Sequence, residues 1–156
     1  MQIGIIGAGT CDHNLAKLAY DTGYYIAKNK ASLICGGLGG VMEEACRGAK
    51  RASGITIGIL PGFSLHEANP YLDIKIVTGF SHARNIIIVR SSQAIISIGG
   101  EYGTLSEIAF ALKLNIPIIG LKTWNLGNNV PIIKAKNPKE AVELALKLGL
   151  EKCYED

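Results

Sequence analysis

Short aliphatic runs, most of them closed by glycine, are separated along this chain by longer amphipathic stretches. Residues 3–6 run into Gly7-Ala8-Gly9-Thr10, residues 33–35 into Gly36-Gly37-Leu38-Gly39-Gly40, and residues 94–98 into Gly99-Gly100-Glu101-Tyr102-Gly103. Further runs lie at 55–60, stopped by Pro61-Gly62, at 74–77 and at 116–121. Between them the periodicity is helical. Asp12 can cap a helix reaching about Asn29, with Leu15, Leu18, Ala19 and Ile26 on one face, and helices are predicted over 41–52, 81–91, 104–114 and 138–148. Strands that are apolar throughout must be covered on both faces, and crossover helices between them make them parallel. The pattern predicts an α/β fold, a single Rossmann-like three-layer domain with a mainly parallel sheet. It would span residues 1–156, in keeping with roughly 150 residues per domain.

Hydrophobic residues make up 48% of the chain and charged residues 19%, which excludes a disordered tail or a coiled coil. The net charge of +3 is scattered without a clustered basic face, so nucleic acid is not an expected partner. Cys11, Cys35, Cys46 and Cys153 form no C-x-x-C pair and read as small buried hydrophobes in a reducing compartment. The apolar runs fall short of the ~20 residues a membrane helix needs, and no basic segment precedes a long apolar one. A cytoplasmic protein with no membrane partner is expected.

Ligands of parallel sheets bind at the carboxyl ends of the strands, where the glycine turns gather. Gly7-Ala8-Gly9-Thr10-Cys11-Asp12 is an incomplete dinucleotide fingerprint, because Asp12 stands where the third glycine belongs. Its backbone N–H groups can still meet an anion. The turn at Gly36, Gly37 and Gly40, followed by Met42, lets a ligand approach the backbone closely. Gly99, Gly100, Gly103, Thr104 and Leu105 sit between a buried strand and a helix, where a helix N-terminus can take phosphate. Thr104-x-x-Glu107 also fits a capping box, in which the two side chains satisfy free backbone N–H groups.

Ser81-His82-Ala83-Arg84-Asn85 ahead of Gly99-Gly100-Glu101-Tyr102-Gly103-Thr104-Leu105-Ser106-Glu107 resembles the LOG family, long labelled as lysine decarboxylases, whose signature is M-H-x-R-K followed by P-G-G-x-G-T-x-x-E. Arg84 and Glu107 fall at the separation of that family's catalytic arginine and glutamate. Arg90 matches a further arginine, and Gly40-Val41-Met42 resembles its G-L-M turn. Ala68-Asn69-Pro70-Tyr71 and Thr78-Gly79 resemble a compact subgroup that includes molybdenum cofactor carrier proteins. Two positions depart from the signature. Asn85 replaces the lysine, and Glu101 places a carboxylate where a glycine is usual, beside the expected anion site.

The resemblance implies two readings. In the first, the chain is a nucleoside 5′-monophosphate phosphoribohydrolase that cleaves the N-glycosidic bond to base and ribose 5-phosphate. Such cleavage builds positive charge on the ribose. Glu107 would stabilise that charge and position water, while Arg84 orients the phosphate or keeps Glu107 ionised. In the second, the same pocket carries a molybdenum cofactor or another nucleotide without chemistry, with Glu107 mainly a cap. Either way the expected partner is a small phosphorylated ligand, and no metal or redox cofactor is called for.

The remaining candidates read as structural. On one helix Arg84 and Arg90 would project about 120° apart, making Arg90 a salt-bridge partner outside the pocket. His13, His66 and His82 share no metal spacing, and Trp124 reads as an anchor for packing or a subunit contact. Asn69-Pro70-Tyr71 reads as a loop able to close over a ligand. The run Ile86-Ile87-Ile88-Val89 has more apolar surface than one sheet face needs, which predicts a homodimer or tetramer. A likeness to the single-stranded-DNA-binding DprA core extends to the fold, but few aromatics here stand near basic residues.

Overall fold

The structure is a computed structural model and describes residues 1–152, so Cys153 lies outside the described residues. Each aliphatic run becomes a strand: β1 (Gln2–Gly7), β2 (Ser32–Cys35), β3 (Thr56–Leu60), β4 (Ile74–Val77), β5 (Ala94–Ile98), β6 (Ile118–Leu121) and the short β7 (Ile132–Lys134). Four α-helices lie between strands, α1 (His13–Lys28), α2 (Val41–Arg51), α3 (Asn85–Arg90) and α4 (Tyr102–Lys113), and α5 (Pro138–Lys152) follows β7. The strands pair in parallel in the order β4-β3-β2-β1-β5-β6-β7. Ile3 and Ile5 face a core completed by Ala19 and Ile26 of α1, Ala45 and Cys46 of α2, and Val142 of α5. Ile6, Ile34 and Ile95 face the opposite core, with Ile88 and Val89 of α3 and Ile108 of α4. The result is three layers, as the alternating pattern predicts.

Strand order reverses between β1 and β5, so the chain leaves these two central strands toward opposite faces and opens a crevice at their carboxyl ends. The crevice wall formed by α2 is fixed by unusually close helix contact. A Cβ on Gly23 of α1 would lie 1.8 Å from the Ala45 carbonyl oxygen, and one on Gly48 of α2 would lie 1.9 Å from that of Tyr20. The two helices therefore touch backbone to backbone, and the start of α2 is held beside β1.

The structure departs from the sequence reading at several points. The predicted helix over 81–91 divides into a 3₁₀ turn at Ser81–Arg84 and the α-helix α3. Arg84 and Arg90 thus do not share one regular helix, and the angular argument drawn from such a helix does not apply. Helix α4 begins at Tyr102 rather than Thr104. β7 is not legible in the sequence, because three residues following a polar segment leave too short a period to read. Ile88 and Val89 are fully buried within the chain, while Ile86 and Ile87 are half-buried. No helix among the described residues is long and apolar enough to cross a membrane.

Candidate functional site

Arg84 is the hub of the crevice. It lies at the end of the 3₁₀ turn, 7% exposed, with its guanidinium directed at the turn after β2. Its Nη2 donates to the Gly36 carbonyl at 3.3 Å, and Nη1 donates to Asn85 Oδ1. Nη1 also stands 3.8 Å from Glu107 Oε1, close enough for attraction but beyond hydrogen-bonding distance. Nε–H is buried with no partner. Arginine carries five donors in a fixed fork and stays charged, so this is a cation with spare hydrogen-bonding capacity.

Glu107 lies in the second turn of α4, 6% exposed, and burial pushes its carboxyl up to about 7 against the opposing pull of Arg84. Desolvation also draws the Arg84 guanidinium down, with Glu107 and Cys35 opposing the shift. Glu107 is not the cap of α4, contrary to the Thr104–Glu107 box considered from the sequence. The box lies one step earlier. Glu101 is the N-cap, its side chain and the Thr104 backbone are paired, and Thr104 Oγ1 accepts from the Glu101 N–H at 3.4 Å. The carboxylate of Glu101 therefore occupies the N-terminal turn that a bound anion would use.

The first turn of α4 offers fewer free donors than the sequence implies. The Leu105 N–H already bonds the Glu101 carbonyl at 3.0 Å, so Leu105 does not supply a free amide. Ahead of it the Thr104 N–H is taken by the Glu101 side chain, which leaves the N–H groups of Tyr102 and Gly103 at the start of the helix.

The candidate glycines sort into two groups. Gly40 has φ +64°, and a Cβ there would lie 2.4 Å from the Gly9 carbonyl carbon. Its absence of side chain lets the β2–α2 turn rest on the β1 turn, where the Val41 N–H bonds the Ala8 carbonyl at 3.1 Å. Gly7, Gly36, Gly37, Gly99 and Gly100 are likewise hemmed in by protein. At Gly36 a Cβ would meet Arg84 Nη2 at 2.5 Å and Met42 Sδ at 2.8 Å, so this glycine and the buried Met42 shape the arginine's seat. Gly9 and Gly103 differ: neither has positive φ, and nothing lies within 4 Å of either Cβ position. No protein contact explains glycine at these two positions, and both face open space.

Two residues matter more than the sequence suggests. Asn85 is 3% exposed and ties the site together. Its Oδ1 receives Arg84, and its Nδ2 donates to Ser106 Oγ at 3.0 Å on α4. A lysine at 85 could not accept from Arg84, so the departure from the family signature is what anchors the guanidinium. Asn69 is 5% exposed. It bonds the Gly37 carbonyl through its N–H at 2.9 Å and the Leu38 carbonyl through Nδ2 at 3.1 Å. The expected lid over 69–71 is thus a fastening for the glycine turn.

Other candidates stay apart. Arg90 is exposed and pairs with no carboxylate among the described residues, and His13, His66 and His82 are exposed on separate elements. Cys35 and Cys46, distant in sequence, bring their Sγ atoms to 3.6 Å in the core, where Cys35 Sγ accepts the Gly37 N–H at 3.4 Å.

The family model described as SLOG cluster4 matches residues 1–149. The chain belongs to the SLOG cluster4 family. An uncharacterised protein of Archaeoglobus fulgidus is 46% identical over 151 residues, covering 97% of this chain and 98% of its own. The molybdenum cofactor binding protein of Rippkaea orientalis shares the structure with a TM-score of 0.89 at 41% identity, over 94% of this chain and 96% of that one. The molybdenum cofactor carrier protein of Chlamydomonas reinhardtii matches with a TM-score of 0.85 at 34% identity, over 94% and 97% of the two chains. The SLOG cluster4 match agrees with the LOG-like resemblance and the compact subgroup, and the lysine decarboxylase label finds no support in it.

Proposed function

We propose that this chain binds and carries a phosphorylated small ligand of the molybdenum cofactor class. The phosphate would lie between Gly9 and the start of α4, with Arg84 supplying the opposing charge. The observation that carries this reading is the tethered cation: Arg84 is buried, clamped by Asn85 and Gly36, and left with an unpaired Nε–H beside a carboxyl that burial holds toward its neutral form. A neutral Glu107 leaves the positive charge available to an anion. Kinship with proteins named for binding and carrying molybdenum cofactor supports the choice of ligand class.

Hydrolysis asks for something different. A glutamate that stabilises a cationic ribose must be ionised, and burial opposes that state here. The carrier reading is preferred over the phosphoribohydrolase one because the similar proteins of Rippkaea orientalis and Chlamydomonas reinhardtii are named for binding and carrying the cofactor.

The test uses purified protein from a host that makes the cofactor. Pterin and molybdenum should co-elute with the wild type in near-stoichiometric amounts. They should be lost from Gly103→Asp, which places a carboxylate in the open space at the start of α4 while keeping a residue that suits a helix's first turn. Release of ribose 5-phosphate from nucleoside 5′-monophosphates, abolished by Glu107→Ala, would overturn the carrier reading.

A further inference from the structure

Beside the β5–α4 turn, past the carboxyl ends of β6 and β7, lies a cavity of about 460 Å³ that the site described above does not use. It is lined by Trp124 and the segment through Asn128, together with Lys122 and Lys134. No acidic residue lines it, and among the described residues neither lysine forms an ion pair. The volume is that of a small-molecule site. A lining that combines an indole, two cations and the amides of Asn125 and Asn128 suits a planar, anionic ring system.

The cavity is joined to the α4 N-terminus by one strip of backbone. Trp124 Nε1 donates to the Glu101 carbonyl at 3.3 Å, Thr123 Oγ1 donates to the Gly99 carbonyl at 2.7 Å, and Thr123 Oγ1 and Ser97 Oγ lie 2.6 Å apart. Gly100 accommodates this junction, because a Cβ there would fall 2.8 Å from Trp124 Nε1. The turn ahead of α4 is thus tied by hydrogen bonds to Thr123 and Trp124, two residues that line the cavity.

We propose that this cavity is a second subsite, which takes the ring-bearing end of the carried ligand against Trp124 and neutralises its remaining negative charge with Lys122 and Lys134. The inference rests on the carrier reading for the class of ligand. Two anchors, one for phosphate and one for the ring, would separate a cofactor from the many simpler phosphates of a cell.

Trp124 is the sole tryptophan of the chain, so its fluorescence reports on the cavity directly. The probes are adenosine 3′,5′-bisphosphate, a planar ring with two separated phosphates, and inorganic phosphate, which has no ring. The bisphosphate is expected to quench Trp124 emission and to bind at least tenfold more tightly than inorganic phosphate. The double variant Lys122→Gln/Lys134→Gln should lose at least tenfold in bisphosphate affinity while binding inorganic phosphate within twofold of wild type, with an unchanged melting temperature. Gly103→Asp should weaken both probes. If the wild type fails to bind the bisphosphate, binds it without a change in emission, or binds it equally well without the lysines, the cavity proposal falls. If the lysines matter and Gly103→Asp weakens neither probe, the cavity stands and the phosphate site at α4 falls.

Discussion

Replacing Glu107 by glutamine should make the protein more stable at neutral and alkaline pH. The carboxyl is pushed from an ordinary value near 4.5 to about 7 because burial outweighs Arg84. At 3.8 Å the pair attracts with about 4 kcal/mol at an effective dielectric of about 20, so removal from water costs the carboxylate more than that. The sign follows from proton linkage. Below pH ~4.5 both folded and unfolded chains hold the proton, and the group contributes its full stability. Between ~4.5 and ~7 the unfolded chain releases the proton first, so stability falls as pH rises. Above ~7 the deficit levels off at about 3 kcal/mol.

Glutamine mimics the protonated state at every pH, so the variant should match wild type near pH 4 and exceed it by about 3 kcal/mol at pH 8. For a chain of this size that is roughly 10 °C in melting temperature. Thermal unfolding followed by circular dichroism from pH 4 to 9 measures it. A variant that melts at or below wild type at pH 8 would refute the reasoning, because it would mean that Arg84 stabilises the ionised carboxylate by more than burial penalises it.

Asn85→Leu leaves the buried Arg84 Nη1 without its acceptor and breaks the bridge to Ser106; urea unfolding should show a loss of about 1–3 kcal/mol. Glu101→Ala removes the cap of α4, costing about 1 kcal/mol in stability, while calorimetric titration should show tighter binding of inorganic phosphate. Gly40→Ala, strained at φ +64° and facing the Gly9 backbone, should destabilise by roughly 2 kcal/mol or more. Gly9→Ala, which meets nothing within 4 Å, should melt like wild type but bind the ligand more weakly.

The fold could be read from the sequence because its signals are local. Runs such as 94–98 are apolar throughout, and Asp12 caps α1 through its side-chain bond to the Leu15 N–H at 2.8 Å. The site was legible only in outline. The separation of Arg84 and Glu107 in the motif points to their meeting, but the bridge from Asn85 to Ser106 and the bonds of Asn69 to the Gly37–Leu38 turn join residues far apart in the chain. The start of α4 shows the difficulty well. Glu101–Thr104 and Thr104–Glu107 both carry residues able to form a box, and local sequence does not choose between them. In three dimensions Glu101, directly after Gly100 at φ +148°, is the N-cap, and Glu107 lies in the second turn beside Arg84.

That choice has a functional consequence for a carrier. With Glu101 capping the helix, a phosphate arriving at the proposed anion site of α4 would have to displace the protein's own carboxylate. The energy of that cap, about 1 kcal/mol, weakens phosphate binding by about fivefold. An enzyme gains nothing by weakening its hold on the phosphate, because that contact helps to orient the reacting bond. A carrier must let its ligand go, and a cap that closes behind the departing phosphate stabilises the empty state. On the carrier reading Glu101 and Asn85 would act together: one would supply an internal competitor for the anion, and the other, bonded to Arg84, would keep the guanidinium in place.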